Sequence, residues 1–91
     1  MITNRDILEI FQAHVPTGAP VRVARIHDIV EAHGGLSSAD WHPDPSEVTR
    51  GHTYPSWKRK VQAALHTLKL KKKILHFPGS QNYVFSSSSF D

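Results

Sequence analysis

Cationic side chains are concentrated in the second half of this 91-residue chain. Residues 48–91 hold eight lysines and arginines and a single acid, Asp91, whereas residues 1–47 hold three arginines and seven acids. The two halves therefore carry net charges of +7 and −4, which add to the formal +3 of the chain. A surface rich in ammonium and guanidinium groups and free of carboxylates attracts phosphates. The pattern favours nucleic acid as a partner, and the plain alternative is a solvated basic face.

The residue types that carry catalysis are missing or badly placed. Cysteine is absent, which excludes thiol chemistry, thiolate-bound zinc and disulfides. The seven histidines include no His-x₃-His pair with an accompanying glutamate. A nuclease centre needs clustered carboxylates, commonly with a lysine, but acids and lysines fall in different halves. The sequence predicts a binding module without catalytic residues, metal or cofactor, and any nuclease activity would lie in another domain.

The clearest element is an amphipathic helix that begins near Pro55, or at Trp57 if Ser56 is its cap, and ends near residues 71–73. Pro55 suits its first turn, and Ser56 can cap it. Apolar residues spaced three and four apart lie within an arc of roughly 100°; they are Trp57, Val61, Ala64, Leu65 and Leu68. The opposite face and its edges carry Arg59, Gln62, Ala63, His66, Lys58, Lys60 and Lys69. One face of this helix is expected in the core and the other in water.

Weaker signals define the other elements. A first helix capped by Thr3 should run to about His14, and a second, with apolar positions from 26 to 30, should stop at Gly34. The remaining predicted elements are a strand at 21–23, strands at 74–77 and 82–85 joined by a turn at 78–81, and a flexible serine-rich tail or linker start at 86–91. Residues 36–53 are harder to assign. A capped half-turn is expected around Trp41, whose ring would be buried or semi-exposed. Residues 42–46 are expected to be irregular because of their two prolines, and residues 47–53 stay undecided between helix and loop.

This order of elements predicts an α+β fold: a winged helix-turn-helix with a three-helix core and a C-terminal β-hairpin as the wing. The domain would comprise residues 1–85. In such folds the third helix lies in the major groove of double-stranded DNA, and the wing lies on the backbone.

Each exposed polar residue of the third helix then has an expected partner. Arg59 can bond guanine, Gln62 can bond adenine, and small Ala63 lets the helix come close. Lysines at its edges suit phosphates, which set position without reading sequence. His76 on the wing could reach the backbone or minor groove. The complete set of predicted DNA-binding residues is Arg50, His52, Tyr54, Ser56, Lys58, Arg59, Lys60, Gln62, Ala63, His66, Lys69, Ser80, Gln81 and Asn82.

The same region resembles a known group of domains. Tyr54-Pro-Ser-Trp-Lys-Arg-Lys-Val-Gln-Ala-Ala-Leu-His-Thr-Leu-Lys, followed by Lys72-Lys-Ile-Leu-His-Phe and Tyr83, resembles winged-helix domains attached to bacterial modification-dependent restriction endonucleases. These are the N-terminal domain of Mrr-type enzymes and the C-terminal domain of Dam-replacing-type enzymes. The chain departs from them at Lys72 or Lys73, where they usually have glycine. It also has Gly79-Ser80-Gln81 in place of a basic Arg-Gly wing tip.

The resemblance implies a DNA reader that provides specificity to a fused or associated restriction endonuclease and that could sense a methylated base. Two alternatives stay open. A stand-alone transcriptional regulator would favour a dimer on two half-sites, and a protein-interaction winged helix would favour a neutral or acidic third helix. The sequence offers no extra helix for dimerisation, so we expect a monomer. Without a signal-peptide pattern or an apolar run of about 20 residues, we expect a cytoplasmic protein with no membrane partner.

Overall fold

A computed structural model describes residues 1–51 and 53–90, with the backbone alone at Glu47. The described residues form an α+β fold with three longer helices, two short ones and a small antiparallel sheet. In chain order the elements are α1 (Asn4–His14), β1 (Pro20–Arg22), α2 (Val23–His33), α3 (Ser38–Trp41), α4 (Pro45–Thr49), α5 (Ser56–Leu70), β2 (Leu75–His76) and β3 (Asn82–Val84). None of the described helices is long and apolar enough to cross a membrane.

Helix α1 begins and ends where the sequence predicts. The Asp6 N–H donates to Thr3 Oγ1 at 3.1 Å, and the Thr3 N–H donates to the Asp6 carboxylate at 2.9 Å. The hydrogen bonds from Thr3 lower the pKa of Asp6. Ile7, Ile10 and Phe11 are buried on one face of the helix. Local capping and apolar spacing are therefore sufficient to define this element.

The strand β1 runs directly into α2. Val23 was predicted as strand but is the first residue of α2, so β1 lies one residue earlier than expected. Val23 packs against the core from the start of the helix, and its N–H donates to Gln81 O at 2.8 Å. The local Val-Arg-Val alternation cannot reveal these long-range contacts.

The sheet has the strand order β1-β3-β2, all antiparallel. The predicted hairpin is confirmed, but its strands are shorter than 74–77 and 82–85. Its turn has Pro78 followed by Gly79 at φ +78°, closed by a 3.1 Å bond from the Ser80 N–H to Phe77 O. Proline and then a glycine with positive φ are the central residues of a type II turn. The residues of the turn therefore explain its conformation, whereas β1 pairs with β3 through contacts between residues distant in sequence.

The core lies where α1, α2 and α5 meet the sheet. All five predicted apolar residues of α5 are buried, at 7% exposure or less. Phe11 of α1 meets Phe85, the residue after β3, edge-on with ring centroids 5.5 Å apart. Burying side chains of this size contributes about 1.5–3 kcal/mol each. The inner face of α5 is thus held in place, and this determines which of its residues face water.

Helix α5 ends in a conformation that favours glycine. Lys72 has φ +58°, and the N–H groups of Lys72 and Lys73 donate to Lys69 O and Leu68 O at 3.0 and 2.9 Å. A left-handed conformation costs a residue with a Cβ about 1–2 kcal/mol. Lys72 is one of the two positions, with Lys73, at which the sequence resemblance predicts a glycine, and its positive φ is a conformation that glycine adopts more easily.

Residues 36–53 contain α3 and α4. The expectation of irregular structure at residues 42–46 was wrong for Pro45 and Ser46, which begin α4, because proline is tolerated in the first turn of a helix. Among the described residues of this stretch the buried side chain is that of Asp40, at 1% exposure, whereas Trp41 is 43% exposed and so takes the semi-exposed position of the two expected. The Asp40 carboxylate accepts from the Ile2 N–H at 3.1 and 3.3 Å and from the Ser37 N–H at 2.9 Å. Burial acts to raise the pKa of Asp40, but these hydrogen bonds outweigh burial and lower it. Asp40 is buried because it satisfies backbone donors from two segments.

The serine-rich residues after β3 form a turn against the domain. Ser89 is 2% exposed; its hydroxyl donates to Lys73 O at 2.7 Å and accepts from the Ser86 N–H at 2.9 Å. The ring of Phe90 lies 6.1 Å from that of Phe85. The boundary predicted at residue 85 therefore leaves out a turn that covers part of the core, and the mobility of this segment stays a prediction.

Candidate nucleic-acid interface

Helix α5 presents its predicted polar face to solvent. Because the apolar stripe is held in the core, residues on the opposite side of the helix must be exposed. The predicted binding residues on this exposed face are Arg59, Gln62, Ala63, His66 and Lys69, and Thr67 and Leu70 are exposed there as well. They span three turns of a 15-residue helix, a length that a DNA groove can follow.

A cavity of about 300 Å³ lies between α2 and the first turns of α5. This α2–α5 cavity is lined by His27, Tyr54, Lys58, Arg59 and Gln62. The Lys58 ammonium lies 5.6 Å from the ring centroid of buried Trp57, within the range of a cation–π attraction. Among the described residues that line the cavity none is acidic, so it presents cations and hydrogen-bond donors.

His27 is the residue of this cavity that the sequence did not single out. Its ring meets that of Trp57 edge-on at 5.7 Å, and its Nε2 is buried without a hydrogen-bond partner among the described residues. Burial first, and the charge of Lys58 second, lower the pKa of His27, while Asp28 acts in the opposite direction. The available signal was weak: His27 lies at the edge of the apolar face of α2, four residues after Val23.

A second cavity, of about 170 Å³, lies between α5 and the hairpin. This wing cavity is lined by Val23, Gln62, His76, Ser80, Gln81 and Tyr83. Gln62 therefore lines both cavities. The exposed face of α5 and the hairpin turn form one continuous surface through this residue.

Most polar groups of the hairpin hold the turn itself. The His76 Nε2–H donates to Ser80 O at 2.8 Å, and the Ser80 hydroxyl donates to Phe77 O at 2.8 Å. The His76 ring stacks on Tyr83, with centroids 4.6 Å apart, and burial raises the pKa of Tyr83. Asn82 is half-buried in β3, paired with Arg22. Of the predicted wing residues, Gln81 is the most open to solvent.

Two predicted binding residues of α5 are engaged with the protein. The Lys60 ammonium donates to Ile2 O at 2.8 Å, and the Ser56 hydroxyl donates to Asp40 O at 3.0 Å. Both bonds join α5 to the N-terminus and α3 rather than to the α2–α5 cavity. The structure therefore does not bring Lys60 and Ser56 together with the other predicted residues.

The acidic half of the sequence reaches the basic face in three dimensions. The Asp44 carboxylate accepts from the Ser46 hydroxyl at 2.7 Å and from the Ser46 N–H at 2.9 Å. These bonds first, and the charge of Arg59 after them, lower the pKa of Asp44. The basic face is therefore not free of carboxylates, although the sequence predicted that it would be. Arg50 is exposed just after α4, and His52 lies outside the described residues.

A third cavity, of about 360 Å³, lies between α1 and α2 and has the opposite chemistry. This α1–α2 cavity includes two carboxylates, of Asp6 and Glu9, and two histidines, His14 and His33. The two imidazole rings stack with centroids 3.6 Å apart. Within the part of the chain that the structure describes, no three histidines or acids are grouped so as to hold a metal ion.

Comparisons with protein-family models, with curated proteins and with solved structures find no match for this chain. The resemblance to restriction-associated winged-helix domains therefore remains a prediction from the sequence.

Proposed function

We propose that this chain is a double-stranded DNA-binding module with a winged-helix fold, acting as a monomer. In this proposal α5 is the recognition helix and the β2–β3 hairpin is the wing. The element order and the pairing of the hairpin's second strand with β1 support the proposed fold. The module itself carries no catalytic role.

The observation that carries the proposal is the continuous surface through Gln62. The α2–α5 cavity and the wing cavity both contain this residue. Together they join the recognition helix to the hairpin turn with cationic and amide side chains. A winged-helix domain needs this continuity, because its helix and its wing must contact one duplex at the same time.

The residues on this surface divide into those suited to contact bases and those suited to contact phosphates. Arg59 would bond guanine O6 and N7, and Gln62 would bond adenine N6 and N7. Ala63 would allow close approach, with His66 one turn further along the helix. Lys69 and Lys58 would contact phosphates, which fix position without reading sequence.

The test is binding of short fluorescent duplexes by the 91-residue chain at several salt concentrations, followed by anisotropy. We expect the logarithm of the affinity to fall with that of salt at a slope of roughly −2, as the phosphate contacts of Lys58 and Lys69 predict. Arg59→Ala should weaken binding, whereas Arg5→Ala should not. Arg5 is an exposed arginine of α1 and serves as the matched control. No binding at low salt would contradict the proposal and favour a protein-interaction role.

We further propose that the module provides specificity to a restriction endonuclease and senses a methylated base. This narrower proposal is supported by the sequence resemblance alone. The same assay tests it with duplexes that carry methyladenine or methylcytosine. A preference for one modified duplex supports it, and equal affinity for modified and unmodified duplexes contradicts it.

A further inference from the structure

We propose that the α2–α5 cavity is a phosphate pocket in which His27, in its protonated form, donates a hydrogen bond to a DNA backbone phosphate. This inference rests on the proposed DNA-binding function and adds a residue and a proton to it. DNA binding would then be accompanied by proton uptake at His27.

The cavity has the chemistry of an anion site. Each of the five side chains that line it can donate a hydrogen bond, and two of them, Lys58 and Arg59, carry a positive charge. Phosphate oxygens only accept, whereas the edge of a base presents donors as well. A volume of about 300 Å³ is at the lower limit for ligand pockets. A phosphate held by Lys58 and by protonated His27 matches these groups better than a base does, and Arg59 keeps the guanine contact proposed above.

The cavity also lies where a DNA strand would pass. Val23 and His27 are four residues apart on α2, and Lys58 and Gln62 are four residues apart on α5, so each pair shares one helix face. Val23 and Gln62 line the wing cavity, and His27 and Lys58 line the α2–α5 cavity. The two cavities therefore follow each other along the junction of α2 and α5. A strand that contacts the wing can continue past Gln62 to His27.

His27 is poised to change its charge when an anion arrives. Its buried Nε2 has no hydrogen-bond partner among the described residues, and a phosphate oxygen that reached this nitrogen would satisfy it. Burial and the Lys58 charge keep the pKa of His27 below its ordinary value, against the opposing charge of Asp28. Tyr54 and Arg59 are the other titratable groups of the cavity. A phosphate would offset the charge of Lys58 and so raise the pKa of His27.

The sign of the resulting pH dependence follows from linkage. If the pKa of His27 is higher in the complex than in the free protein, binding strengthens as pH falls through the higher value. The gain in affinity is complete below the pKa that His27 has in the free protein. A rise of about one pKa unit on binding corresponds to roughly tenfold tighter binding at low pH.

The experiment measures duplex affinity between about pH 8 and about pH 5.5 for the wild-type chain, His27→Gln and the control His33→Gln. Glutamine keeps a donor but does not titrate, and His33 lies on the same helix beside Asp6 and Glu9. We expect the wild type and His33→Gln to bind several-fold more tightly at low pH and His27→Gln to lose most of that gain. If His27→Gln binds DNA and keeps the full gain, the inference is wrong while the proposed function stands. If no chain binds DNA, both fail.

A second measurement needs no variant. The imidazole of His27 is titrated by NMR in the free chain, with inorganic phosphate and with the duplex. A higher pKa with the duplex supports the inference. An unchanged or lower pKa with the duplex overturns it, as does a rise with inorganic phosphate alone, which would assign the pocket to a free phosphate rather than to DNA.

Discussion

Helix α2 contributes a histidine to each of two cavities that differ in charge. In the α1–α2 cavity, His33 stacks on His14 beside the carboxylates of Asp6 and Glu9. In the α2–α5 cavity, His27 lies beside Lys58 and Arg59. Carboxylates repel phosphate, whereas cations attract it, and the charge of Lys58 favours the neutral ring of His27. His27 therefore lies in a cavity that attracts phosphate and His33 in one that repels phosphate, and the neighbouring side chains make the difference.

The separation of charge along the chain is largely kept in three dimensions. Both acids of the α1–α2 cavity and both cations of the α2–α5 cavity come from the halves that the sequence predicts. Asp44 is the exception, because the segment between α3 and α4 carries it close enough to Arg59 to affect its pKa. The basic face is thus positive but bordered by an acid.

The largest effect is expected at the residue against which His27 packs. Trp57→Ala removes a fully buried ring that contacts His27 and Trp41, and should lower the free energy of unfolding by about 3–5 kcal/mol. Trp57→Phe is the matched control. It should cost much less, because the indole Nε1 is buried without a hydrogen-bond partner among the described residues. Denaturant unfolding measures both, and equal losses would show that the indole nitrogen has an important partner.

The next effect separates base reading from phosphate binding within the basic surface. Arg59→Ala should cost about 1–3 kcal/mol of DNA binding and relax the preference at one base pair. Lys69→Ala should weaken binding to all sequences alike and reduce the salt slope by about one. Anisotropy with a panel of duplexes measures both variants. Identical behaviour across sequences would contradict the roles assigned to the two residues.

The smallest effect tests the acid at the border of the basic surface. Asp44→Asn removes a negative charge that acts on Arg59, so it should tighten duplex binding modestly and most clearly at low salt. Glu9→Gln makes the same change of charge in the α1–α2 cavity and should leave binding unchanged. Weaker binding by Asp44→Asn would mean that Asp44 positions Arg59 for DNA instead of competing with DNA for it.

Local signals predicted the elements whose stability is local. The Thr3–Asp6 capping box, the apolar stripe of α5 and the Pro78-Gly79 turn each depend on residues close in sequence, and the structure has all three. The capped half-turn around Trp41 is also confirmed, as α3 with a Ser37–Asp40 capping box, but residues 47–53 could not be assigned. The burial of Asp40 depends on hydrogen bonds that its carboxylate accepts from the Ile2 N–H, and no local pattern predicts a contact across that distance.

The sequence likewise predicted only part of the candidate site. The sequence selected Lys58, Arg59 and Gln62 because helical periodicity places them away from the apolar stripe. It could not exclude Lys60, which lies at the other edge of α5 and bonds the N-terminal segment. It also could not include His27, which joins the cavity only because α2 packs beside α5.

The sequence alone thus determined the amphipathic faces, the caps, the hairpin turn and the separation of charge between the two halves. These features follow from side-chain type and backbone periodicity over a few residues. The tertiary structure decided the burial of Asp40, the approach of Asp44 to Arg59 and the meeting of His27 with Lys58. Those outcomes depend on how helices and loops distant in sequence pack around one core, and packing geometry is not encoded in any short segment.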